Sequence, residues 1–243
     1  IETINLELIF SDLEVLERRM EKAVKLVRSG DKKAKAEYEI MERVKSHLEN
    51  NLPVRTLDLN EDEEAFVKSL FLITSKPVLY ACNVSEDDVV SGDPHNEYVK
   101  KVEEYAKNEN SGIVIVSAKI EEELSGREDE EKQEMLGEYG LTESGLDQLI
   151  REGYKLLGLI SYLTAGVQEV RAWTIKQGTK APQAAGKIHS DIERGFIRAE
   201  IVSYDDLVEC GSEAAAKEKG LYRLEGKEYV MKDGDVVNFR FNV

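Results

Sequence analysis

Apolar residues at the start of this chain recur on two alternating strides. Leu6, Ile9, Leu13, Leu16, Met20, Ala23 and Val27 are separated by three and four residues in turn, which predicts a heptad seam on a helix of about seven turns. Ser29-Gly30-Asp31 interrupts the seam. Ala34, Tyr38, Met41, Val44 and Leu48 then share one side of a second helix that ends near Asn50-Asn51-Leu52-Pro53. So short a connection predicts an antiparallel hairpin. The same seam fits a dimerising coiled coil. The second helix, next in sequence, instead favours packing within one chain and hence a monomer.

Beyond the hairpin the period changes. Asn60 precedes Glu61, Asp62, Glu63 and Glu64, so Asn60 and Glu63 can form a capping box. Phe66, Leu70 and Ile73 give this helix its apolar face, and Lys76-Pro77 ends it. Val78–Cys82 and Ile113–Val116 read as buried strands, and His95–Asn108 and Leu146–Leu159 as helices. Strand and helix in alternation predict a parallel α/β lobe, and two strands are few enough to suggest part of a larger domain. The acidic run Glu121–Glu138 reads as a solvated, partly helical face.

The last third alternates again. Trp173 and Ile175 alternate with Ala172, Thr174 and Lys176, a half-buried strand. Pro182 suits a first helical turn, Ala184, Ala185, Ile188 and Ile192 continue the helix, and Gly195 ends it. Phe196–Val202 returns as a strand. Tyr222–Leu224 and Lys227–Val230 flank Glu225-Gly226 as a hairpin signal. Asp233-Gly234-Asp235 makes a further turn, and Val237, Phe239, Phe241 and Val243 alternate to the end. A small mixed sheet crossed by one main helix follows, the shape of a ubiquitin-like β-grasp module.

The run Arg171–Phe196, with Glu225-Gly226-Lys227-Glu228-Tyr229 and Asp233-Gly234-Asp235-Val236, closely resembles the TGS domain that ends YchF-type proteins, Obg-family P-loop nucleotidases that prefer ATP. The resemblance extends through most of the chain. It implies a multi-domain α/β protein with a helical-hairpin arm at residues 1–60, part of a P-loop nucleotide-binding domain at 61–160, and a β-grasp TGS domain at 161–243.

Composition adds limits. A net charge of −16 argues against non-specific binding of the whole chain to nucleic acid or an anionic membrane. Cys82 and Cys210 form no disulfide framework, which fits a reducing compartment. No apolar run approaches the ~20 residues of a membrane span, and no signal peptide is visible. A cytoplasmic protein is expected.

Candidate chemistry begins with what the sequence does not contain. Neither G-x-x-x-x-G-K-[ST] nor G-x-G-x-x-G occurs, so these residues supply no backbone cradle for phosphates. The three histidines and two cysteines lack zinc spacing. His189 reads as a surface residue and Trp173 as core. No local pairing of a nucleophile with a base is present, and no catalytic residue is assigned.

Asn83-Val84-Ser85-Glu86 directly follows a buried strand, at the carboxyl end where open α/β sheets bind ligands. An Asn amide can donate and accept at a base edge. In guanine-specific relatives this tetrad reads N-K-x-D. Here Val84 replaces the Lys and Glu86 the Asp, and the longer side chain misplaces the acceptor for guanine. The resemblance implies that Asn83 meets the edge of an adenine and that Val84 lies at the base, its backbone able to contact the exocyclic amine. Ser117-Ala118-Lys119, after the second strand, resembles the S-A-K loop that closes over the base.

The hairpin turn carries Lys22, Lys25, Arg28, Lys32, Lys33 and Lys35 against Asp31 alone, a net of +5 in an acidic chain. One reading is a solvated helix end. The sharper reading is backbone contact with structured RNA. No aromatic residues interleave, so base stacking is not expected.

The resemblance as a whole implies binding and slow hydrolysis of ATP in association with ribosomes. The Mg²⁺, phosphate-binding and switch segments of such proteins precede the arm and are not in this sequence, so these residues alone are expected not to turn over ATP. The competing class is an RNA- or protein-binding adaptor without nucleotidase activity.

Overall fold

The computed structural model describes residues 1–94, 96–166 and 169–242. They group into two compact units, Ile1–Gly145 and Leu146–Val243.

The first unit opens with the helical pair. α1 (Glu2–Arg28) and α2 (Lys32–Glu49) fold back on each other, and Lys45 on α2 reaches Glu17 on α1 at 2.8 Å. Gly30 takes a left-handed φ of 84° in the turn. Asp31 caps α2, its carboxylate accepting from the N–H groups of Lys33 and Ala34. Ile9, Leu16 and Met20 of the expected seam bury against Met41, Val44 and Leu48. Val54, Val67, Leu70 and Leu72 complete the same cluster, so the lower end of the hairpin shares its core with α3 (Glu61–Leu70). The Asn60–Glu63 capping box forms as expected.

Two parallel strands follow, β1 (Leu79–Asn83) and β2 (Gly112–Val116). The first runs one residue later than the periodicity predicted. Between them lie α4 (Glu86–Val90) and α5 (Glu97–Asn108); His95, the expected first residue of α5, is outside the described residues. α6 (Ala118–Leu124) and α7 (Asp129–Glu138) make the acidic run helical in two pieces. Val84, Val89, Val99, Ile120, Leu124 and Leu136 form the core beneath them.

α8 (Gly145–Leu156) leads into the second unit. It stops three residues short of the expected Leu159. Gly158 turns the chain with φ 60°, and β3 (Leu159–Ala165) begins instead. The short apolar run Leu156–Ile160 fits either period, and pairing with β4 (Val170–Lys176) decides for strand. α9 (Ala181–Ile188) and α10 (Ser190–Arg194) replace the single expected helix. His189 adopts extended φ −161° between them, and its Nδ1 accepts from the N–H of Asp191 at 3.2 Å, capping the second piece.

β5 (Phe196–Ser203), α11 (Tyr204–Cys210), α12 (Glu213–Glu218), β6 (Arg223–Glu225) and β7 (Asp235–Phe241) complete a mixed sheet of order β4-β3-β7-β5-β6. The hairpin expected at Glu225-Gly226 does not form. β6 pairs antiparallel with β5, and Val230 makes an isolated bridge to Lys180. Val243, the last expected alternating position, is outside the described residues. Ala181, Ala184 and Ala185 bring α9 close against Tyr162, Ile201 and Phe239, and the Tyr162 hydroxyl donates to the Ala184 carbonyl at 2.8 Å.

Candidate functional site

The register of β1 on β2 sets the first site. Asn83 lies opposite Val116, so both strands end level and their exit loops lie side by side. The Val84 N–H donates to the Val116 carbonyl at 2.8 Å. The Ala118 N–H donates to Asn83 Oδ1 at 3.0 Å. That bond fixes the amide orientation and leaves Nδ2 without a partner among the described residues. The Asn83 loop and the Ser117-Ala118-Lys119 loop are thus joined by the side chain expected to meet a base.

Ser117 is 5% exposed, and its hydroxyl has no hydrogen-bond partner among the described residues. A buried hydroxyl left without a partner costs about 1–3 kcal/mol. An open cavity of about 530 Å³ is lined by Asn83, Val84, Ser85, Glu86, Asp87 and Lys119.

Ser85 caps α4 in a reciprocal box with Asp88, and hydrogen bonds from Ser85 hold the Asp88 carboxyl below its ordinary range. Glu86 then stands at the first position of α4. Its Oε2 pairs with the Lys119 ammonium, and Tyr139 approaches its Oε1 at 3.2 Å. The Lys119 contact lowers the Glu86 pKa and raises that of Lys119. Hydrogen bonding to Glu123 first, then burial and Glu86, pushes the Tyr139 phenol up to about 12.

Val84 also lines this cavity. It is 7% exposed, and its side chain belongs to the core with Val89 and Ile120. Only its backbone is offered to a ligand, and a lysine there would bury an ammonium. Tyr139 and Glu123 are the residues that sequence reasoning missed. Tyr139 lies 53 residues after Glu86, and no local pattern connects them.

The second candidate is the hairpin turn. Lys22, Lys25, Arg28, Lys32, Lys33 and Lys35 are all exposed. Lys33 pairs with Glu37 at 3.7 Å and Lys35 with Glu39 at 3.9 Å. Lys22, Lys25, Arg28 and Lys32 have no acidic partner among the described residues. Lys25 and Arg28 also occupy the last turn of α1, where cations favour the helix dipole. No hydrogen bond or ion pair joins this group to the base-edge loops among the described residues. Nor do those residues include any cluster of three or more His, Cys, Asp or Glu side chains that could hold a metal. No described helix is long and apolar enough to cross a membrane.

Residues 159–242 match the family YchF-GTPase_C, described as a protein of unknown function (DUF933). All of the chain aligns with the ribosome-binding ATPase YchF of Bacillus subtilis at 56% identity, and with that of Escherichia coli O157:H7 at 49%. In both cases it spans 66% of the relative's length. The solved structure of the Schizosaccharomyces pombe YchF GTPase superposes with a TM-score of 0.87 at 36% identity, over 98% of this chain and 64% of that one.

Proposed function

This chain belongs to the YchF family, and on that premise we propose that it serves an ATP-binding, slowly ATP-hydrolysing protein that works with ribosomes in the cytoplasm. Residues 1–60 are the helical arm, 61–160 the last part of the nucleotide domain, and 161–243 the TGS domain. The observation that carries the reading is the Asn83 amide at the strand ends, on the edge of the cavity lined by Asn83, Val84 and Glu86. Among the described residues Asn83 Nδ2 has no partner and is free to donate, while Oδ1 is held by Ala118.

A purine edge offers a ring nitrogen to the Asn83 amide. The exocyclic amine of adenine can reach the main chain at Val84, and the Lys119 stem can lie over the ring. Mg²⁺ and the triphosphate need groups other than these residues. The 243 residues alone are therefore expected neither to retain ATP securely nor to turn it over. Calorimetric titration of the full-length gene product with ATP and with GTP tests the reading. ATP is expected to bind more tightly, and equal affinities refute it.

A second reading has its own support: four unpaired cations at the hairpin turn. They favour contact with structured RNA, in the manner of a ribosome-binding or adaptor module. Affinity for ribosomes should then fall by about 0.7–0.9 log unit per tenfold salt for each phosphate neutralised. Replacing Lys25, Arg28, Lys32 and Lys33 with Gln should weaken pelleting with ribosomes and flatten the slope. Unchanged affinity and slope would leave the turn as a solvated helix end.

A further inference from the structure

Tyr139 reaches the base-edge loops from the carboxyl end of α7. Its hydroxyl stands 2.9 Å from Glu123 Oε2 and 3.2 Å from Glu86 Oε1. The single phenolic proton serves these two carboxylates in turn. The ring is held half-buried against the core that includes Val84 and Leu136. On its other side Glu86 is paired with Lys119. Oε2 of the carboxylate at the cavity edge is thus held by Lys119, and Oε1 faces the phenolic oxygen and shares its one proton with Glu123. The neighbouring Asn83 Nδ2 has no partner among the described residues and lines the cavity.

This contrast bears on base choice. Guanine presents a ring N–H and an amino group side by side, and recognising them takes a carboxylate with free lone pairs. Adenine presents a ring acceptor in place of that N–H. We propose that Tyr139 is a specificity-determining positioning residue. With Lys119, it holds the Glu86 carboxylate out of reach of an incoming base, so that guanine finds no acceptor and adenine is left to Asn83 and the Val84 main chain. Glu86 excludes guanine because its carboxylate is occupied as well as because its side chain is long. The proposal rests on the nucleotide reading above.

The test titrates the full-length gene product with ATP and GTP as the unmodified protein, Tyr139→Phe, and Tyr139→Phe with Glu86→Gln, with melting curves as the folding control. Phe keeps the ring in the core and removes the hydroxyl. The ATP-to-GTP affinity ratio should fall about five- to tenfold in Tyr139→Phe, the lower end of the scale of one base-edge pair, through a rise in GTP affinity. Glu86→Gln should abolish that rise, because the amide replaces one of the two acceptor oxygens with a donor that faces guanine's own donors. If Tyr139→Phe fails to fold, Lys119→Met removes the donor to the other Glu86 oxygen at an exposed position and carries the same expectation. An unchanged ratio with ATP still bound overturns the role of Tyr139 and leaves the nucleotide reading standing. An equal loss for both nucleotides makes Tyr139 structural only and also overturns it. Failure of the unmodified protein to bind either nucleotide overturns both.

Discussion

The two ends of the helical hairpin treat charge in opposite ways. At the lower end charged groups are buried and partnered. Asp12 is 1% exposed and accepts from the N–H of Ile73, the N–H of Thr74 and the Thr74 hydroxyl at 2.7–2.8 Å. Thr74 Oγ1 in turn accepts from the Val54 N–H. Nearby, Arg55 and Glu109 have side chains only 7% and 6% exposed and meet at 2.6 Å. The Tyr80 hydroxyl donates to Glu109 at 2.6 Å, and Asn5 joins Arg55 to Tyr105. At the turn the six cations are exposed, and four are unpaired. Buried charges need their partners to stay buried at all, whereas exposed ones contribute little to folding and remain available to something else. The lower end is therefore a joint: it ties α1 to β1, three residues before Asn83. The turn is a surface.

Substitutions can break this contrast, beginning with the largest effect. Asp12→Ala leaves three buried donors without an acceptor and should cost about 3–4 kcal/mol in denaturant unfolding. A loss under about 1 kcal/mol would mean that water or a rearranged loop replaces the carboxylate. Glu109→Gln keeps the shape but leaves Arg55 buried without its counter-charge. It should cost about 2–3 kcal/mol, and a neutral result would show that this end is solvated like the turn.

A smaller effect is expected in alkali. Burial first, then Glu109, raises the Tyr80 phenol from 10 to about 12. The folded state holds that proton more tightly than the unfolded chain, so the stabilisation is complete below about pH 10 and is lost as pH climbs towards 12. Tyr80→Phe should flatten melting temperature against pH in that window. An unchanged profile would assign the alkaline loss to other tyrosines. Smallest of all, the quadruple Gln change at Lys25, Arg28, Lys32 and Lys33 should alter stability by less than about 0.5 kcal/mol. A larger loss would mean that the turn is part of the joint.

Much of this was legible in the chain. The heptad seam, the Asn60–Glu63 box and the loops after β1 and β2 appear where the residues predict them, although both strands expected to be buried are only partly so. Each rests on a period or a cap that acts within a few positions. The misses have one cause in common. Leu159–Ala165 is a strand because β4 and β7 pair with it. Glu225-Gly226 forms no hairpin because β6 pairs with β5. The break at His189 lies inside an unbroken apolar period, since Ile188 and Ile192 pack against the same core on either side of it.

The same division runs through the base-edge loops. Sequence alone placed Asn83, Glu86 and Ser117-Ala118-Lys119 at strand ends, because strand period and exit residues are local properties. It also placed the cations on one turn, because a helix break and its flanking lysines are adjacent in the chain. Only the tertiary structure decided that Val84 belongs to the core, that Asn83 Oδ1 is taken by Ala118 while Nδ2 is open, and that Tyr139 stands against Glu86. Only it made Asp12, one position off the predicted seam, a fully buried acceptor. These are choices of partner across tens of residues. A hydrogen bond or an ion pair is fixed by which groups the folded backbone brings within about 3 Å, and periodicity carries no information at that range.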